Sequence, residues 1–163
     1  MTPAFASLLE KVHEIHDLTK TQMVLSWDRE VNMPPSGLTA RTQQMTTLSR
    51  LIHERQTDPA YGELIESAAA AEAAASYDSF EASLIRFLRR NYELNTKLPA
   101  EFVTRRTQIS AQAHQAWKQA RENNDFASFA PWLSKVIGLA QEMVEYYDYE
   151  SEPYDALLDL FEQ

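Results

Sequence analysis

Apolar residues in this chain recur at steps of three and four and do not alternate with period two over any useful length, which restricts the fold to helices packed on helices. The first stripe is Phe5, Leu8, Leu9, Val12, Ile15, Thr19 and Met23, running toward Trp27. It starts behind Thr2-Pro3, a capping threonine with proline at the first helical position. A helix of about 24 residues is predicted, roughly 36 Å long at 1.5 Å per residue. Lys11, Glu14, Asp17 and Lys20 lie mostly on its other side.

Leu25 to Gly37 interrupts this pattern. Pro34 and Pro35 cannot donate the backbone hydrogen bond of a helix interior, Pro34 pushes Met33 out of the helical region, and Gly37 frees the backbone for re-entry. The corner carries a tryptophan, an Asp-Arg-Glu triplet and a methionine where ordinary linkers carry Ser, Gly and Lys. Two readings stand. In one, Trp27 and Met33 plug the core; in the other, the stretch is a rim facing a cleft.

Helical periodicity resumes from Leu38 to Gln56, with Met45, Leu48, Leu51 and Ile52 as the buried stripe. Asp58-Pro59 caps a short helix through Leu64 and Ile65, and the alanine-rich run from Ala68 to Ala75 reads as a helix tail and loosely held connection with almost no side chain to bury. Asp78 and Glu81 form a capping box for a helix marked by Phe80, Leu84, Phe87, Leu88 and Leu94. Leu98-Pro99 starts another, with Phe102, Ile109, Ala113, Trp117 and Ala120 on one face. Asp125 caps a short turn ahead of Pro131, after which Leu133, Val136, Ile137, Ala140, Met143, Val144 and Tyr147 give the cleanest stripe. Pro153 opens a last short helix carrying Ala156, Leu157, Leu160 and Phe161. No Asn-Gly or Asp-Gly hairpin signal occurs. The expectation is an all-α bundle of about six or seven mostly antiparallel helices. At 163 residues, it should form a single domain spanning 1–163.

Charge narrows the partners. There are 24 acids against 15 bases, a net charge of -9, which argues against a nucleic-acid or anionic-membrane partner. After Lys135 no Lys or Arg occurs, while Glu142, Glu145, Asp148, Glu150, Glu152, Asp155, Asp159 and Glu162 make an acidic end, either a solvated face or half of a charge-matched interface. With no cysteine, no signal peptide and no membrane span, a cytoplasmic setting is expected.

Chemistry-bearing motifs are sparse. A zinc peptidase helix needs two histidines four residues apart with a glutamate between them to activate water. His13-Glu14-Ile15-His16 is short by one residue and reads as solvated histidines with at most adventitious metal binding. His53-Glu54-Arg55-Gln56-Thr57 offers threonine where the second histidine belongs, and His114 is isolated. No Gly-x-Ser-x-Gly elbow or phosphate-cradling glycine loop occurs. Arg86, Arg89, Arg90, Arg105 and Arg106 read as solvated faces, and Trp117 and Trp132 as core.

Trp27-Asp28-x-Glu30-x-x-Met33-Pro34-x-x-Gly37, followed by Arg41 and Gln44, resembles a pattern near the start of the carboxypeptidase Taq family of metallocarboxypeptidases. Thr96-Lys97-Leu98-Pro99-Ala100-Glu101, the block from Asn124 to Lys135, and Glu152-x-Tyr154-Asp155-Ala156-Leu157-Leu158-Asp159 continue the resemblance in order. Asp148-Tyr149 departs from it, standing where a Gly-Tyr pair is expected. The family is much longer, and the chain stops where its catalytic half starts.

The resemblance implies cytoplasmic, mainly helical homodimers that remove single residues from peptide C-termini with zinc or another divalent metal. That metal is held by a His-Glu-x-x-His helix and a downstream glutamate. It also implies that the N-terminal helices form a wall and cover of the substrate groove. On that basis Trp27, Asp28, Arg29, Met33 and Arg41 are the expected groove-lining residues. No catalytic, metal or cofactor-binding residue is assigned to this chain, and its partners are a C-terminal catalytic region and, through it, the peptide substrate. The competing reading is a free-standing acidic helical interaction module that docks through Leu157, Leu160 and Phe161.

Overall fold

The computed structural model describes residues 2–161, so Glu162 of the acidic end lies outside the described residues. Within them the chain folds into seven α-helices, one 3-10 turn and no strand, an all-α bundle. The helices are α1 (Pro3–Val31), α2 (Leu38–Gln56), α3 (Pro59–Ala71), α4 (Phe80–Thr96), α5 (Ala100–Asn123), α6 (Phe126–Val144) and α7 (Asp155–Leu158), with the 3-10 turn at Pro35–Gly37. They divide into two compact units, one reaching to Thr96 and the other starting at Lys97.

In the first unit, cross-helix bonds fix the directions. Arg41 on α2 reaches Leu25 on α1, Gln22 reaches Ser49, and Glu14 reaches Arg55, so the two helices run antiparallel. Thr2, at the start of α1, donates from its amide and hydroxyl to Glu72 just beyond α3, at 3.0 and 2.9 Å. Arg89 on α4 grips Glu66 on α3 through two nitrogens at 2.7 Å, and Tyr61 meets Tyr92 one turn further along, so that pair is antiparallel too. Phe5, Leu8, Ile65 and Ala68 are fully enclosed between these helices.

Several local signals act as predicted. Thr2 caps α1, accepting from the Phe5 amide; Asp58 caps α3, accepting from the Ala60 amide; and α2 spans Leu38 to Gln56. Others are corrected. α1 runs 29 residues rather than about 24, so Trp27, Asp28, Arg29 and Glu30 are helical and only Asn32 onward forms the corner. Ala68 is not spare: the absence of a bulky side chain lets α3 seat against its neighbours, and α3 stays helical through Ala71. Ser79, not Asp78, caps α4, accepting from the Ala82 amide at 3.2 Å. Phe80 and Phe87 are exposed, and Ile85 takes the core position beside Leu88.

In the second unit, α5 and α6 form a helical hairpin. Arg105 and Arg106 near the start of α5 meet Glu142 and Met143 near the end of α6. Asn124 adopts a left-handed conformation at the turn (φ 52°), where a short polar side chain is tolerated. Asp125 caps α6 by accepting from the Ser128 amide, and the helix begins at Phe126. Pro131 therefore lies inside α6 rather than before it. Phe102 is the fully buried residue here, edge-on to Tyr146 at 5.3 Å. Trp117, expected in the core, is 38% exposed.

Candidate functional site

The corner between α1 and α2 separates the five expected site residues into two groups. Asp28, Arg29 and Arg41 are held by the protein itself. Arg41, whose side chain is only 17% exposed, binds the Asp28 carboxylate at 2.5 Å, donates to the Leu25 carbonyl at 2.9 Å and to the Gln44 side chain at 3.0 Å. A planar guanidinium serves three acceptors in fixed directions in a way that an ammonium does not. Asp28 also accepts from Asn32, and its carbonyl takes the amides of Asn32 and Met33, closing the end of the helix. Arg29 pairs with Glu30 at 3.0 Å and lies against the Met45 sulfur.

Met33 folds back over the corner, where a Cβ at Gly37 would stand 3.0 Å from its Cγ. It is half-buried, in line with the plugging reading. Trp27 is not. It is 59% exposed, and Met23, Val24 and Val31 are similarly exposed. Positions 23, 24, 27 and 31 share one face of a 3.6-residue helix, so α1 ends in a continuous, largely exposed apolar strip. The interpretation of Trp27 as a core plug is therefore overturned. Helical periodicity shows that a face requires burial but does not identify what covers it.

The histidines form no centre. His13 and His16 sit one turn apart on α1, and His16 approaches Asp17 at 3.7 Å. His53 is buried on α2, a core position its failed motif gave no hint of. No group of three or more His, Asp or Glu side chains comes together to hold a metal among the described residues. The basic pairs are engaged: Arg89 with Glu66, and Arg105 with Glu142. The Arg89 partnership, mainly its hydrogen bonds, holds the Glu66 carboxyl below its ordinary range. At the acidic end, Leu157 and Leu160 are half-buried and Phe161 is 85% exposed. Among the described residues, no helix is long and apolar enough to cross a membrane.

A family model described as carboxypeptidase Taq (M32) metallopeptidase matches residues 7–163. Thermostable carboxypeptidase 1 of Pyrococcus furiosus is 38% identical over 156 residues, covering 96% of this chain and 31% of the relative. The enzyme of the same name from Thermus thermophilus is 32% identical, covering 99% of this chain and 34% of the relative. Among solved structures, the apo-Mg carboxypeptidase of Pyrococcus furiosus superposes with a TM-score of 0.78 at 36% identity, over 100% of this chain and 32% of that one. The crystal structure titled BsuCP superposes at 0.92 and 27% identity, over 99% of this chain and 32% of that one. The chain thus spans about a third of the length of the relatives it matches.

Proposed function

The chain belongs to the carboxypeptidase Taq (M32) family of metallopeptidases, and from that premise we propose that it forms a non-catalytic wall or cover of the substrate groove. The whole enzyme removes C-terminal residues from peptides. In this reading the catalytic region, with its zinc or other divalent metal, is supplied by the two thirds of the relatives' length that this chain does not match. The enzyme works as a cytoplasmic homodimer.

The observation that carries the cover role is the exposed apolar end of α1. Met23, Val24, Trp27 and Val31 form a strip of the kind that monomeric surfaces rarely leave uncovered. The Asp28–Arg41 ion pair ties the last turns of α1 to α2. Asp28, Arg29 and Arg41 then act as struts, and Trp27 is the residue that meets the groove.

The test is a peptidase assay of the purified chain with added divalent metal and a peptide bearing a free C-terminus. Release of no amino acid is expected. Release in proportion to chain concentration would show that this third of the enzyme carries its own catalytic centre.

A further inference from the structure

The α5–α6 hairpin of the second unit offers an unpaired cation at one end and unpaired carboxylates at the other. At its tip Arg121 lies over the Trp117 ring at 5.3 Å, beside a concavity of about 420 Å³ that Phe126 and Phe129 help to line. Arg121 meets no carboxylate among the described residues, and Phe126 is 66% exposed. Asp125, at the edge of the concavity, is engaged as the cap of α6. At the base Lys97 holds Asp148 at 2.6 Å, the neighbouring Tyr149 is 42% exposed, and Glu145, Glu150 and Glu152 are exposed without an ion pair among the described residues. The two ends of one chain cannot meet, because α5 is unbroken between them and Arg121 lies about 24 Å beyond Arg105, the partner of Glu142.

Between the ends runs an uncovered face. Positions 126, 130, 134, 137 and 141 share one side of α6, where Ile137 is 49% exposed. From Phe126 to Gln141 the helix carries a single charge, Lys135, and that ammonium sits over the Trp132 ring at 4.1 Å. Loss of charge around exposed aliphatic and aromatic side chains is the composition of an interface centre. Gly138 borders this face, and a Cβ there would meet nothing within 4 Å. A glycine weakens a helix interior, and nothing in its own chain needs the space, whereas a closely approaching second helix does. Gly138 also stands near the middle of the hairpin: Arg121 is about 18 Å from it toward the tip, and the start of α5, beside Lys97 and Asp148, about 14 Å toward the base.

We propose that a second copy of this chain covers the face. Two hairpins lie antiparallel about a two-fold axis beside Gly138, so that the Ile137 faces meet. Each tip then receives Tyr149 of the other copy, with Arg121 against its Glu150. The complement of each end is the opposite end of the same hairpin, and a two-fold pairing satisfies both at once. This rests on the homodimer reading above, to which it adds the surface; the cover role at the end of α1 is separate.

The experiment is sedimentation equilibrium of the purified chain over a concentration series at low and high salt. A closed monomer–dimer equilibrium that weakens with salt is expected. Gly138→Lys, whose side chain meets nothing in its own chain, should leave monomer with unchanged helical circular dichroism. Arg121→Glu should raise the dimer Kd about tenfold, since one change creates two like-charged contacts. Combining it with Glu150→Arg should return the Kd toward its original value. A dimer that none of these variants weakens, or no recovery in the double variant, would overturn the proposal and leave the homodimer reading in place. Monomer at every concentration would overturn it too and assign the face to another occupant, whichever surface the whole enzyme dimerises through. Open-ended association would also overturn it, because a two-fold contact closes at two copies.

Discussion

Arg41 and Trp27 sit 14 positions apart in the sequence, yet their environments are opposite, and the contrast defines the corner. Arg41 is consumed by Asp28, Leu25 and Gln44, whereas Trp27 touches solvent over most of its surface. A tryptophan plugging a core costs about 3–5 kcal/mol when truncated to alanine. Trp27→Ala should instead shift chemical-denaturation stability by no more than about 0.5 kcal/mol, as exposed positions do.

Glu72 allows a test by pH. The Thr2 amide and then its hydroxyl, bonding to the carboxylate, hold the Glu72 carboxyl below its ordinary range. A depressed carboxyl contributes stability that is complete above the ordinary carboxylate range and is lost as pH falls through the depressed value. Glu14, Glu66 and Asp148 are depressed too, chiefly by hydrogen bonds from Lys11, Arg89 and Lys97 respectively. Stability should therefore decline as these four titrate in acid, and Glu72→Gln should make that decline shallower in acid denaturation curves. Of the site, the composition of the corner was legible from its prolines and Gly37. The Asp28–Arg41 pairing was not, because nothing in a one-dimensional pattern says which of two polar neighbours faces across to another helix.

At the scale of elements, punctuation with a strict chemical requirement was the most readable. Thr2-Pro3 and Asp58-Pro59 each start a helix, because a proline at the first position and a short acceptor before it suit little else, and Asp125 starts α6 by its side-chain cap alone. Proline inside a pattern misled in two ways. Pro34 stops propagation only at its own approach, so α1 continues through the charged triplet to Val31. Pro131 sits just past the first turn of α6, in a helix the Asp125 cap has already started, and there it forgoes one i→i−4 hydrogen bond. The capping box at Asp78 failed because an adjacent serine does the same job one residue later. Ser79→Ala should cost about 1 kcal/mol in urea unfolding, and Asp78→Ala only a few tenths. The reverse ranking would restore the original reading.

At the scale of the whole molecule the chain has two compact units. Helical class followed from periodicity everywhere. The exposed faces did not, because an amphipathic stripe shows that a face seeks cover and not what covers it. Beyond the end of α1, Phe126, Val136 and Ile137 on α6 stay exposed, although α6 carries the cleanest apolar stripe. Zinc titration of the purified chain followed by calorimetry tests the central claim most directly, since the ligating side chains are assigned to sequence that this chain does not match. No stoichiometric, high-affinity uptake is predicted; one tightly held zinc ion per chain would contradict the account.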